Sequence, residues 1–158
     1  MKKVSIIVLI LILVGAVVYY FSDTNEYTFI AEVDGVSFDA GYAYATYTGD
    51  AMKIAAGQRN SEGIEIISIN LHCSSPGSFS LDSDDPDLGG SAGYCFGKTK
   101  KSITVFATKS SYPGRATISA LDFNSKKVSG TFEYRAFEVT GAPRAVKVTG
   151  SFDDIPIK

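Results

Sequence analysis

Residues 127–139, Lys-Val-Ser-Gly-Thr-Phe-Glu-Tyr-Arg-Ala-Phe-Glu-Val, alternate between two kinds of side chain. The apolar or small positions of this stretch are Val128, Gly130, Phe132, Tyr134 and Ala136. The polar positions between them are Ser129, Thr131, Glu133 and Arg135. A period of two residues is typical of an antiparallel strand with one buried face. The stretch therefore predicts a β-strand whose apolar and small side chains point into a core.

The flanking segments extend this strand into an antiparallel set. Residues 116–123 precede it and are joined to it by the short segment 124–127. Residues 140–144, Thr-Gly-Ala-Pro-Arg, lead into residues 145–153, where apolar and polar side chains alternate again. Short connections join antiparallel neighbours. The side chains expected on the inward faces are those of Phe132, Tyr134, Val146, Val148 and Phe152.

Strand patterns recur through the rest of the chain after residue 26. They lie at residues 27–33, 36–39, 42–48, 52–56, 64–72, 78–81, 94–96 and 103–108. Asp34-Gly35 predicts a two-residue hairpin turn, in which both residues have positive φ. The apolar phase changes within residues 64–72, which indicates a bulge or burial on both faces. Nine to eleven short strands without a helical period predict an all-β antiparallel β-sandwich, with a closed β-barrel as the alternative.

Residues 4–21 form an apolar run in which Ser5 is the single polar residue, and Lys2 and Lys3 precede it. A helix of this length comes close to the ~30 Å hydrocarbon core of a bilayer. The positive-inside rule places the N-terminus in the cytoplasm and exports the rest. We therefore expect a single-pass anchor at residues 1–21, a linker at 22–26 and an exported domain at 27–158. A cleaved signal peptide, cut after Ala16, is the alternative.

Composition excludes several classes of function. The net charge is −2 and no long basic run is present, so nucleic acid is not an expected partner. One His and two Cys leave little for a zinc, haem or iron–sulfur site, and no cofactor is expected. The chain lacks the nucleophile-elbow, zinc-protease and phosphate-loop motifs. It is expected not to be an enzyme; a hydrolase with two carboxylates from distant strands is the remaining catalytic hypothesis.

Two groups of residues are candidates for a covalent or metal-binding role. Cys73 and Cys95 are the only thiols, and in an exported domain they are candidates for a disulfide, with two reduced cysteines as the alternative. His72 neighbours Cys73 but points to the opposite face of a strand, so it cannot activate that thiol. The carboxylates of one loop are weak candidates for Ca²⁺ ligands, with a solvated acidic loop as the alternative. They belong to Asp82, Asp84, Asp85 and Asp87.

Three tyrosines form a candidate partner surface. Tyr42 and Tyr44 share one face of the predicted strand at residues 42–48, and Tyr47 points to the other. Exposed aromatic rings can stack on sugars or anchor a partner protein, whereas buried ones pack in a core. A glycan or an envelope protein is therefore the expected class of partner.

The C-terminal third resembles a family of small exported proteins. Three segments carry the resemblance: residues 114–122 (Gly-Arg-Ala-Thr-Ile-Ser-Ala-Leu-Asp), 127–136, and 146–153 (Val-Lys-Val-Thr-Gly-Ser-Phe-Asp). In the same order, they are similar to three consecutive strands of a domain-of-unknown-function family. The middle strand of that family carries a Val-Ser-Gly-Thr-Phe motif, and the third strand closes the domain. That family comprises all-β envelope proteins of Gram-negative bacteria, often lipid-anchored. The resemblance implies an envelope β domain without an established activity, and no Cys ends the apolar run to carry a lipid.

We thus expect a non-catalytic, membrane-tethered envelope domain with a binding or structural role. The alternative is a small-ligand carrier with an apolar barrel cavity. An enclosed pocket would favour the carrier, and a filled core with surface grooves would favour the binding module.

Overall fold

The computed structural model describes residues 27–83, 90–99, 102–141 and 143–158. The expected anchor at residues 4–21 and the linker at 22–26 lie outside this part of the chain. Within the described ranges, no helix is long and apolar enough to cross a bilayer.

The described residues form strands throughout. In chain order the strands are β1 (Thr28–Val33), β2 (Val36–Asp39), β3 (Tyr42–Thr48), β4 (Ala51–Asn60), β5 (Gly63–His72), β6 (Gly77–Leu81), β7 (Ser91–Gly97), β8 (Ile103–Ala107), β9 (Gly114–Asp122), β10 (Lys127–Glu138) and β11 (Ala145–Pro156). Each predicted strand is present. Asp34 and Gly35 have φ values of 51° and 80°, which confirms the predicted hairpin turn.

The strands form an antiparallel sheet that divides at β10. Its order is β2-β1-β11-β10-β8-β7-β5-β4-β3, and β9 and β6 lie off this path. One edge of β10 pairs with β11, whereas the other pairs with β9 over Lys127–Glu133 and with β8 only at Phe137 and Glu138. Two layers therefore meet along β10. The strand path ends at β2 on one side and at β3 on the other. Among the described residues, the further pairing of β3 is a single parallel bridge from Ala45 to Ile157. The fold is sandwich-like, and the predicted alternative of a closed barrel is wrong because no strand ladder within the described ranges closes the path.

The core lies between the inward faces of these layers. The predicted inward residues are all buried, and they are Phe132, Tyr134, Val146, Val148 and Phe152. The ring of Phe132 also packs against Phe29 of β1, with 5.5 Å between the ring centroids. Glu133, one residue along β10, is exposed. These exposures confirm the register predicted for the C-terminal strands.

Two glycines make room for these rings in a reciprocal way. Gly130 on β10 is paired with Phe152 on β11, and Phe132 is paired with Gly150. A Cβ on Gly130 would lie 2.8 Å from the Phe152 ring and would overlap the carbonyl oxygen of Thr117. A Cβ on Gly150 would likewise meet the ring of Phe132. Each phenylalanine thus covers the glycine opposite it, a known way to stabilise glycine within a sheet.

The phase change in β5 comes from burial on both faces. Its pairing with β4 and β7 runs without a register shift from Ile64 to Asn70. Ile67 and Ile69 join the core, whereas Ile66, on the opposite face, is also buried with 2% of its surface exposed. The bulge alternative is therefore wrong for β5. A register shift lies instead in β10, between Ser129 and Gly130.

Candidate functional site

The solvent face of five adjacent strands forms an open concave surface. The strands are β6, β9, β10, β11 and β1, which pair in that order. The cavity above them measures about 1360 Å³. Four spacings of about 4.8 Å make its floor about 19 Å wide. We call this surface the groove.

Hydroxyl groups line the middle of the groove. Ser78, Thr117, Thr131 and Ser151 are aligned across four strands by the pairing register. The hydroxyl oxygens of Ser78 and Thr117 lie 3.3 Å apart, within hydrogen-bond distance. A hydroxyl both donates and accepts, so this row can contact either kind of polar atom on a ligand.

Basic side chains gather towards one end of the groove. Arg115 on β9 is opposite Glu133 on β10, and Arg135 on β10 is opposite Lys147 on β11. The Lys147 ammonium lies 3.6 Å from the Glu133 carboxylate. Within the described part of the chain, neither Arg115 nor Arg135 takes part in an ion pair of this kind. Two guanidinium groups are therefore available to a ligand beside one lysine–glutamate pair.

An aromatic ring borders the same end. Tyr112 is 52% exposed and lines the groove, and its ring packs 5.0 Å from that of Phe137 between centroids. The ammonium of Lys109 lies 4.9 Å from the centre of the same Phe137 ring. The contact with Phe137 holds the tyrosine ring while leaving part of its surface open to solvent.

The predicted disulfide is wrong. Both thiols are free. Cys95 on β7 is opposite Ile66 on β5, and Cys73 follows the end of β5. Seven residues of extended chain separate Ile66 from Cys73, which is about 23 Å at ~3.3 Å per residue. A bridge needs Cα atoms within about 7 Å of each other. Cys73 belongs to the core, with its sulfur 3.9 Å from that of Met52.

The three tyrosines do not form one exposed cluster. Tyr42 and Tyr44 share the solvent face of β3, with ring centroids 6.5 Å apart, but Tyr42 is only 8% exposed. Its ring lies across Gly57, the residue paired with it on β4. Tyr47 packs against the core on the opposite face, as expected, and contacts Phe123 at 4.7 Å. Tyr44 and Tyr47 are half-buried, and Tyr44 is the one of the two on the outward face.

The acidic loop is described only at its start. The Asp82 carboxylate accepts a hydrogen bond of 2.9 Å from the hydroxyl of Ser80. Asp84, Asp85 and Asp87 lie outside the described residues. Within the described ranges, no three His, Cys, Asp or Glu side chains are grouped so that they could hold a metal. His72 is exposed and lies 3.4 Å from the Asp50 carboxylate, while Cys73 is buried, as their opposite directions predict.

The groove is not evident in the sequence alone, in which Thr131, Thr149 and Ser151 are polar positions of separate strands. The available signal was the repeated hydroxyl side chain at outward positions: Thr117, Thr131, Thr149 and Ser151. That signal becomes a site only when the strand order brings those positions side by side.

Comparisons with known proteins locate the chain in one family. Neither the curated proteins nor the solved structures contain a significant match to it. The family model for a domain of unknown function, DUF6252, matches residues 25–156. This match includes the whole described β domain apart from its last two residues, and the chain belongs to the DUF6252 family.

Proposed function

We propose that this protein is a non-catalytic, membrane-tethered envelope module of Gram-negative bacteria that binds a glycan along the groove. The observation that carries the proposal is the row of hydroxyl groups across four of the five strands of the groove. A volume of about 1360 Å³ exceeds the ~300–1,000 Å³ of typical small-molecule pockets. An open groove of this size suits an extended ligand better than a small one.

The chemistry of the floor favours a glycan over a protein partner. Protein interfaces depend on a few large apolar or aromatic anchors near their centre. Here the centre carries Thr117, Thr131 and Ser151, while Ile30 and Tyr112 lie towards the margins. Sugar hydroxyls match such donors and acceptors. The exposed part of the Tyr112 ring offers a flat surface to the C–H face of a sugar.

The small-ligand carrier has weaker support. The space between the layers is filled by buried side chains such as Phe38, Phe106 and Ile155. The crevice beside Ile66 and Cys95 measures about 20 Å³, room for little more than one water.

Glycan binding is tested with the full chain and polysaccharides extracted from bacterial envelopes, by calorimetry. Thr131→Trp fills the centre of the groove and should abolish binding. Thr48→Trp is the matched control, since Thr48 is an exposed strand residue on β3, outside the groove. Absence of binding by the unsubstituted protein, or equal binding by the two variants, would contradict the proposal.

The membrane tether is tested separately. If residues 4–21 anchor the protein, the chain isolated from cells keeps Lys2 and stays in membranes through salt and carbonate washes. An N-terminus beginning after Ala16 together with a soluble protein would support the cleaved signal peptide instead.

A further inference from the structure

We propose that the glycan bound in the groove is acidic, and that Arg115 and Arg135 bind its anionic groups. This inference rests on the proposed function. It names the chemistry of the ligand and the end of the groove at which its charge is recognised.

The two arginines are placed to act on neighbouring groups of one ligand. Arg115 is opposite Glu133, and Arg135 is two residues further along β10 on the same face. Diagonal neighbours of this kind lie about 7–8 Å apart. Both residues are exposed. A guanidinium presents a planar set of donors that fits a carboxylate or a phosphate with two hydrogen bonds.

Nearby carboxylates compensate this positive charge only in part, since the groove is lined by three cationic side chains and by the carboxylates of Glu32 and Glu133. Glu133 is already paired with Lys147 at 3.6 Å. Glu32 lies opposite Thr149, two strands beyond Glu133, which is about 10 Å across the sheet. The lining thus holds three cations against two carboxylates, and the Asp34 carboxylate beside it accepts a hydrogen bond from the backbone N–H of Lys147. Charge complementarity therefore points to an anion at this end.

The hydroxyl row beside the arginines indicates that the anion is part of a sugar chain. Thr117 follows Arg115 by two residues on the same face of β9, and Thr131 is opposite it on β10. A ligand that places an acid at the arginines can extend its neutral hydroxyls along this row. The backbone amides of an acidic peptide could also pair with these hydroxyls, so polyglutamate serves as the competing ligand in the test.

The test compares the same envelope polysaccharide before and after removal of its charge. One sample has its carboxylates reduced to alcohols, and a second has its phosphates removed. We expect one treatment to weaken binding by about tenfold or more, as the loss of a charge-assisted hydrogen-bond pair does. Arg135→Gln and Arg115→Gln should weaken binding of the untreated polysaccharide to the same level and leave binding of the neutralised sample unchanged. Arg59→Gln, at an exposed strand arginine of β4 outside the groove, should change neither.

The outcomes separate the two proposals. Equal binding of treated and untreated polysaccharide, still abolished by Thr131→Trp, would overturn the acidic ligand and leave glycan binding intact. Equal or tighter binding to anionic phospholipid vesicles or to polyglutamate would overturn the choice of a glycan as the anion's carrier. Absence of binding to all of these samples would overturn both proposals.

Discussion

At the scale of single residues, the hydroxyl of Tyr42 stands out. It is buried against Gly57 and has no hydrogen-bond partner in the described part of the chain. A buried polar group without a partner costs about 1–3 kcal/mol. The hydroxyl of Tyr134, buried in the core, instead donates a 2.8 Å hydrogen bond to the carbonyl oxygen of Gly93. The two tyrosines therefore form a matched pair with opposite expected responses.

We predict that Tyr42→Phe raises the free energy of unfolding by about 1 kcal/mol, because it removes the unpartnered hydroxyl and keeps the ring. Tyr134→Phe should lower it by about 1 kcal/mol, the net value of a typical hydrogen bond. Urea unfolding of both variants at neutral pH measures the difference. A loss of stability in Tyr42→Phe equal to that in Tyr134→Phe would mean that the Tyr42 hydroxyl has a partner in solution.

At the scale of elements, the pairing of β10 with its neighbours depends on Gly130. We predict that Gly130→Ala lowers the free energy of unfolding by about 1–3 kcal/mol, as overpacking does, because the added Cβ would overlap the Thr117 carbonyl and press on Phe152. Gly77→Ala is the control, since a Cβ at this β6 glycine would meet only the Phe79 ring at 3.5 Å. Thermal or urea unfolding compares them. A similar decrease in the free energy of unfolding in both variants would contradict the prediction, because it would show that the contacts of the added Cβ with Thr117 and Phe152 are not the cause.

The same elements show how far the sequence can predict this fold. Alternation located strands such as β10 and β11, since burial on one face leaves a period of two, whereas β5 was located by its apolar run. It placed the C-terminal end of β4 too early, at residue 56, because Gly57, Gln58 and Arg59 break the pattern although pairing with β5 continues through Asn60. The prediction of a disulfide was wrong because the composition of the chain contains no information about the distance between Cys73 and Cys95. The groove was not predictable, because it depends on β6 lying beside β9, a pairing between segments far apart in the chain.

At the scale of the whole molecule, buried acids of high pKa make the fold sensitive to alkali. Burial raises the pKa of Cys95 from 9.0 to about 11. Burial also raises the pKa of Tyr42 and, with a contribution from Glu65, that of Tyr94. Tyr134 is raised well above its ordinary pKa by burial as well. The folded chain therefore holds these protons more tightly than the unfolded chain does.

We predict that the free energy of unfolding is nearly constant from neutral pH to pH 9 and falls between pH 9 and 11. The sign follows because the unfolded chain releases the Cys95 proton first, which favours unfolding as the pH rises through this window. Cys95→Ala should make the decline shallower by about 1–2 kcal/mol over the same interval. Urea unfolding at a series of pH values measures both curves. A curve for Cys95→Ala parallel to that of the unsubstituted chain would exclude Cys95 as a source of the decline.

The antiparallel register also gives the groove a direction. The described chain enters the sheet at Thr28, which is opposite Asp153, whereas Lys147 and Arg135 lie near Asp34, where β1 ends. The intervening length of β1 is about 17 Å. With a tether preceding residue 27, as proposed, the arginine end is the end remote from the bilayer. Under this proposal, a molecule held there would lie about 17 Å further from the bilayer than the start of β1.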